Sequence, residues 1–290
     1  MKRILYLPVL FLALQGWSCG VVQNVAVNST SGILTYGMAA LFEEPDLTVA
    51  EQAIPGNLKL VEALYRAKDG DDDKLGTMLV QGYTGYALSF VEDTDPERAK
   101  ALYKRARDYG LKVLRKNKKF DAAFDQDAET FRTAVQSFTK DDVETIFWTA
   151  NAWGSLVNLG MNDPELIGDL SKVNALMEFV IANDEGFYYG SAHMYFGTIF
   201  ATIPRALGGK PELAKEHFEK CFKLGNNKLL LPYVFMAKSY AVQVQDKELF
   251  LSLLKTVEEA PDDILPEQML VNAVAKRKAR ALAARADELF

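Results

Sequence analysis

The sequence is poor in the residues on which most catalytic sites depend. It holds two cysteines and two histidines in 290 residues. One cysteine, Cys19, closes the first apolar run, which leaves only Cys221 as an interior thiol and no disulfide framework to hold the fold. A P-loop, a dinucleotide glycine fingerprint and an HExxH pair are all missing. Gly208, Gly209 and Lys210 lack the spaced upstream glycine of a phosphate loop, so ATP use has no support. A net charge of -6 and a pI near 5.2, without any long basic tract, argue against nucleic acid as a partner. No stretch alternates apolar and polar residues as a half-buried strand would.

The chain begins with Lys2 and Arg3, followed by an uncharged apolar run from Ile4 to Leu14. That is the pattern of a secretory signal, and it is too short to span a bilayer. Gly16, Trp17 and Ser18 precede Cys19, an imperfect form of a bacterial lipobox in which Gly16 stands where leucine is usual. The expected organisation is a signal peptide at 1–18, a lipidated N-terminus on Cys19 with a short linker at 19–23, and one helical domain at 24–290. Gly20 in place of aspartate favours the outer membrane, so the expected location is the periplasm, on that membrane. Several acyl chains would anchor firmly, since each buried methylene adds about 0.8 kcal/mol.

Apolar residues then recur at three- and four-residue spacing along nearly the whole chain, which predicts an all-α fold. Helices are expected near 24–43, 47–67, 73–91, 95–116, 124–138, 141–159, 164–183, 186–203, 211–224, 229–245, 246–259 and 265–287. Asp95–Pro96 and Asp163–Pro164 read as helix starts, with the carboxylate as cap and the proline where its missing N–H costs nothing. Short turns between the helices suggest antiparallel pairs stacked as a tetratricopeptide-like solenoid. Tyr83, Tyr86, Ala87 and Phe90 fit the first helix of such a repeat, and Ala99, Tyr103 and Ala106 the second. Tyr233, Met236, Ala237 and Tyr240 repeat the first half; Ala214, Phe218 and Cys221 repeat the second. Cys221 thus occupies a small-residue packing position, with His217 expected toward the helix surface.

Five blocks carry a family resemblance: 90–114, 147–160, 188–224, 243–254 and 272–285. They include FWTANAWGSLVNLG and YYGSAHMYFGTIFATIPRALGGKPELAKEHFEKCFKL. Together, over roughly residues 30–287, they resemble the T component of TRAP transporters, the tripartite ATP-independent periplasmic uptake systems. The resemblance implies a periplasmic lipoprotein with cryptic tetratricopeptide-like repeats. It also implies a solute-binding protein as partner and a role that is not enzymatic. The remaining partners expected are the membrane, through the lipid, and a small organic ligand; a homo-oligomer is compatible with the sequence. Two other readings stay open, an envelope-assembly lipoprotein and a periplasmic enzyme built around His193.

The repeat register places Trp148, Asn151, Ser155 and Asn158 on one stripe, which would line a ligand or partner groove. Ser191, Met194 and Thr198 would form the matching stripe of a later helix. The core reading of Trp148 and Met194 stands beside this one. Tyr189 and His193, four apart, are candidate ligand contacts. No metal or cofactor is expected: Asp69, Asp71 and Asp73 start like a calcium loop, but Lys74 and Val80 stand where glycine and glutamate are required. Arg115–Lys119 reads as a basic run closing a helix. The basic stretch 275–285 reads as a terminal helix that caps the domain or meets a partner.

Overall fold

The computed structural model describes residues 32–203 and 209–290. Cys19 and the leader lie outside the described residues. Every regular element described is helical. The main elements are α1 (32–42), α2 (Leu47–Ala67), α3 (Asp73–Tyr86), α4 (Pro96–Leu114), α5 (Lys118–Ala123), α6 (Ala128–Val135), α7 (Val143–Leu159) and α8 (Pro164–Gly168). They continue with α9 (Leu170–Asp184), α10 (Phe187–Thr202), α11 (Pro211–Leu224), α12 (Leu231–Met236), α13 (Lys247–Glu259), α14 (Met269–Ala283) and α15 (Ala286–Leu289).

Local chemistry sets the starts. The Asp95 side chain accepts from Arg98 N–H and that of Asp163 from Glu165 N–H, each with proline in the first turn. Asp46, Asp72, Asp127 and Asp246 cap α2, α3, α6 and α13 in the same way. Such caps contribute about 1 kcal/mol each. The basic run is not one helix end. Arg115 and Lys116 follow α4, Asn117 caps the next helix, and Lys118 and Lys119 open α5. The expected helix at 164–183 is likewise divided at Asp169, whose carboxylate accepts from the Trp153 indole N–H at 2.8 Å.

α3 and α12 each run on into a π-helical turn, at Ala87–Val91 and Ala237–Ala241. Tyr83 with Ala87 and Tyr233 with Ala237, two of the pairs in the expected repeat register, stand at these two turns. A π turn withdraws a carbonyl from regular pairing. In the first one, Arg277 of α14 donates to the Ser89 carbonyl, and its guanidinium lies 5.1 Å from the Phe90 ring centre.

Neighbouring helices pack in chain order through α2, α3 and α4. α7 then packs on α4, α9 on α7, α10 on α9 and α11 on α10, with α12, α13 and α14 following. Close approach is set by small residues. A Cβ on Gly110 would lie 1.9 Å from the Thr149 hydroxyl, so α4 and α7 meet there with no room for a side chain.

The buried apolar residues form two clusters. The larger runs from Leu34 through Trp153 and Phe179 to Ile199, and the smaller gathers Phe218, Leu231, Phe250 and Ala275. α10 and α14 contribute to both: Phe196 and Val274 belong to the first, Met194 and Ala279 to the second. Burial of this kind stabilises by roughly 25 cal/mol per Å² of apolar surface. One buried carboxylate, Glu62, accepts from Lys59 Nζ and Tyr83 Oη, both at 2.7 Å, and from Tyr109 Oη at 3.1 Å. Burial alone would raise its pKa, but those donors outweigh it and hold the carboxyl below its ordinary value.

The basic terminal helix is occupied within the chain. Lys276 pairs with Asp262 at 2.5 Å, Lys278 pairs with Asp93, and Arg280 meets Glu258 at 2.8 Å.

Candidate functional site

Where the two cores meet, the side chains leave a pocket. About 890 Å³ of empty space lies in it, a figure that takes in open solvent at its mouth. α1 supplies Met38, Leu41 and Phe42; α3 and its π turn supply Gly85, Leu88 and Ser89; α7 supplies Trp148 and Asn151. α10 adds Tyr188, Ser191 and Met194, and Leu270 and Val274 of α14 close the far wall. The lining is overwhelmingly apolar, with Asn151 as its principal polar side chain on α7.

A smaller pocket adjoins it, with about 550 Å³ of empty space counted in the same way. Leu88, Asn151 and Met194 line both, so the two share a wall. Ser155, Asn158, Thr198, Tyr195 and Glu92 line the second. Gly154 lets α7 and α10 approach here: a Cβ would sit 2.7 Å from the Tyr195 ring.

The structure therefore brings all seven stripe residues to these two pockets. Trp148, Asn151, Ser191 and Met194 line the larger, and Asn151, Ser155, Asn158, Met194 and Thr198 line the smaller. The alternatives of core and groove merge for Trp148 and Met194. Trp148 is 6% exposed and Met194 8%, yet both face the cavity. The Trp148 ring lies 5.0 Å from Phe147 and 4.9 Å from Tyr188, centre to centre.

Tyr188 is the side chain that stripe reasoning missed, and its backbone explains why. Tyr188, Tyr189 and Gly190 all have positive φ, at 44°, 59° and 74°. Two consecutive tyrosines in the left-handed region are costly, by order 1–3 kcal/mol each. Hydrogen bonds within α10 and to Glu267 and Gln268 hold them. The Tyr188 hydroxyl donates to Gln268 Oε1 at 3.0 Å, and its carbonyl accepts from the Ser191 hydroxyl at 2.7 Å. The Tyr189 hydroxyl donates to Glu267 Oε1 at 3.1 Å. Gly190 has a second constraint, because a Cβ there would meet Leu224 at 2.6 Å. The turn aims the Tyr188 ring at Trp148 and sends Tyr189 elsewhere, so Tyr189 does not line either pocket.

His193 also lies away from both. It is 1% exposed, with Nδ1 at 2.8 Å from Nδ1 of His217 and Nε2 at 3.0 Å from Glu185 Oε1. His217 is half-buried against Phe196 and Phe200, which corrects its expected place toward the surface. Burial lowers the pKa of His193, against the opposing pull of Glu185. Burial, with His193 and Lys220 nearby, pushes His217 down to about 4. Cys221 is buried, 3.7 Å from the Tyr189 carbonyl, and burial pushes its thiol up to about 12. A thiol held protonated in that way is a poor nucleophile.

The acidic loop at 69–73 is spoken for as well, since Asp71 and Asp73 both pair with Lys116. Among the described residues no helix is long and apolar enough to cross a membrane.

A family model described as TRAP transporter T-component matches residues 43–290. No curated protein gives a significant match.

Proposed function

The chain belongs to the TRAP transporter T-component family, and from that premise we propose that it is a lipid-anchored periplasmic scaffold and binding protein of a TRAP system. In this reading Cys19 carries the lipid on the outer membrane, tetratricopeptide-like helix pairs form the body, and the domain docks a solute-binding protein. It helps pass a small organic ligand. The observation that carries the reading is the apolar pocket between the two cores, lined by Trp148, Asn151, Ser191 and Met194. An apolar cavity with a few convergent polar groups is the usual form of a small-molecule site.

The test is affinity purification of the full-length protein from detergent-solubilised native membranes after mild crosslinking. Recovery of a periplasmic solute-binding protein or a TRAP permease supports the reading, and the crosslinked side chains locate the docking face. Recovery of envelope-assembly proteins alone overturns the transport role in favour of the envelope-assembly alternative.

A further inference from the structure

The two adjoining pockets differ in chemistry in a way that selects a ligand. The larger one offers almost only carbon. The smaller one offers the amides of Asn151 and Asn158, the hydroxyls of Ser155 and Thr198, and one carboxylate, Glu92. The Glu92 side chain is 8% exposed. Its Oε2 accepts from the Tyr103 hydroxyl at 2.6 Å. The other oxygen, Oε1, forms an ion pair with Lys238 Nζ at 3.8 Å, too long for a direct hydrogen bond. Lys238 does not line the smaller pocket; it lines a neighbouring surface cleft that Glu92 and Phe235 also border. Among the described residues no direct hydrogen bond reaches Oε1, so a donor in the smaller pocket can complete it. The π turn at Ala87–Val91 ends immediately before Glu92, whose N–H donates back to the Ala87 carbonyl, so the backbone holds that side chain at the pocket wall.

We propose that the two pockets form one amphipathic site for an apolar molecule with a cationic or neutral hydrogen-bond-donating head, the apolar body lying against Trp148 and the head donating to Glu92. The proposal rests on the ligand-site reading given above and adds the class of ligand. A primary ammonium or a hydroxyl can donate to Oε1 while the two asparagines and Ser155 complete its hydrogen bonds. The ring of Phe235, which also lines the smaller pocket, suits a cation. A carboxylate head would face Glu92 as a like charge that Lys238 offsets from 3.8 Å only in part, and is disfavoured relative to a donor.

The experiment titrates the full chain by calorimetry with octylamine, octanol and octanoate at neutral pH, against blanks of the solubilising detergent. Octylamine is expected to bind about tenfold tighter than octanoate or better, the usual scale of a charge-assisted hydrogen bond. Glu92→Gln keeps an acceptor for Tyr103 and is expected to bring amine and carboxylate to within about threefold of each other. Asn158→Asp, which adds a second carboxylate, is expected to widen the gap by a similar factor. Gly85→Phe fills the larger pocket and is expected to abolish binding of all three probes. Octanoate binding as tightly as octylamine, or a ratio unmoved by Glu92→Gln, overturns the head-group assignment. If octanol still binds and Gly85→Phe removes it, the ligand pocket itself survives that result. Binding of no probe, or binding indifferent to Gly85→Phe, overturns both.

Discussion

Nδ1 of His193 and Nδ1 of His217 stand 2.8 Å apart, so one ring must donate and the other accept. The tautomers follow from Glu185. Its carboxylate, 3.0 Å from His193 Nε2, takes that N–H. His193 Nδ1 is then the acceptor and His217 Nδ1–H the donor, with both rings neutral. A second proton has no place between them.

This arrangement predicts a pH dependence with a definite sign. Both histidines have folded-state pKa values below the unfolded value of about 6.5. Their contribution is present above that value and is lost as pH falls toward the folded value of His217, about 4. Glu185 opposes the shift at His193, and Lys220 reinforces it at both rings. Denaturant melts between neutral pH and the folded value should show falling stability. His193→Gln combined with His217→Gln should flatten that slope; an unchanged slope would place the acid sensitivity elsewhere.

Gly110→Ala should destabilise the domain by about 1–3 kcal/mol, the usual scale of overpacking. Its Cβ would stand 1.9 Å from Thr149 Oγ1 and 2.9 Å from Thr149 Cγ2. Adding Thr149→Ala removes both atoms, so chemical denaturation of the double variant should recover part of the loss. Additive losses would mean that the two helices do not meet through this pair.

Trp148→Ala would strip a core side chain, at about 3–5 kcal/mol, and so confounds binding with folding. Gly85→Phe is the cleaner probe of the pocket. A Cβ on Gly85 meets nothing within 4 Å, and the residue lines the cavity. Its thermal stability should stay near that of the unaltered chain, apart from small helix-propensity effects, while uptake of an apolar fluorophore is lost.

Tyr65 carries a buried hydroxyl with no hydrogen-bond partner among the described residues. Removing an unsatisfied buried donor relieves its desolvation cost, about 1–3 kcal/mol in such cases. Tyr65→Phe should therefore be neutral or stabilising in a urea melt. A loss above about 1 kcal/mol would reveal a partner for the hydroxyl, such as buried water.

Caps and stripes were legible in the sequence because they are local. Asp95–Pro96 and Asp163–Pro164 need only their own helix turn to act, and both start helices as expected. Trp148, Asn151, Ser155 and Asn158 share a face by helical geometry alone, whatever that face meets. The walls opposite them were not legible. Tyr188 reaches the cavity through left-handed backbone that tyrosine disfavours, held by Gln268, which lies 80 residues away in sequence. His217 is drawn inward by a partner on another helix, and no spacing within α11 announces it. Glu92 follows a π turn, which shifts side-chain phase by one residue and so breaks the 3.6-residue count that pattern reading relies on.

The walls of the larger pocket come from both ends of the described chain: Met38 and Phe42 from the first helix, Leu270 and Val274 from the last long one. During synthesis the cavity therefore has no existence until α14 has emerged and docked. A nascent or C-terminally clipped chain offers a ligand no complete binding surface. A ligand of the proposed site, binding only the completed pocket, would add its free energy to the fully assembled fold and so seal finished molecules.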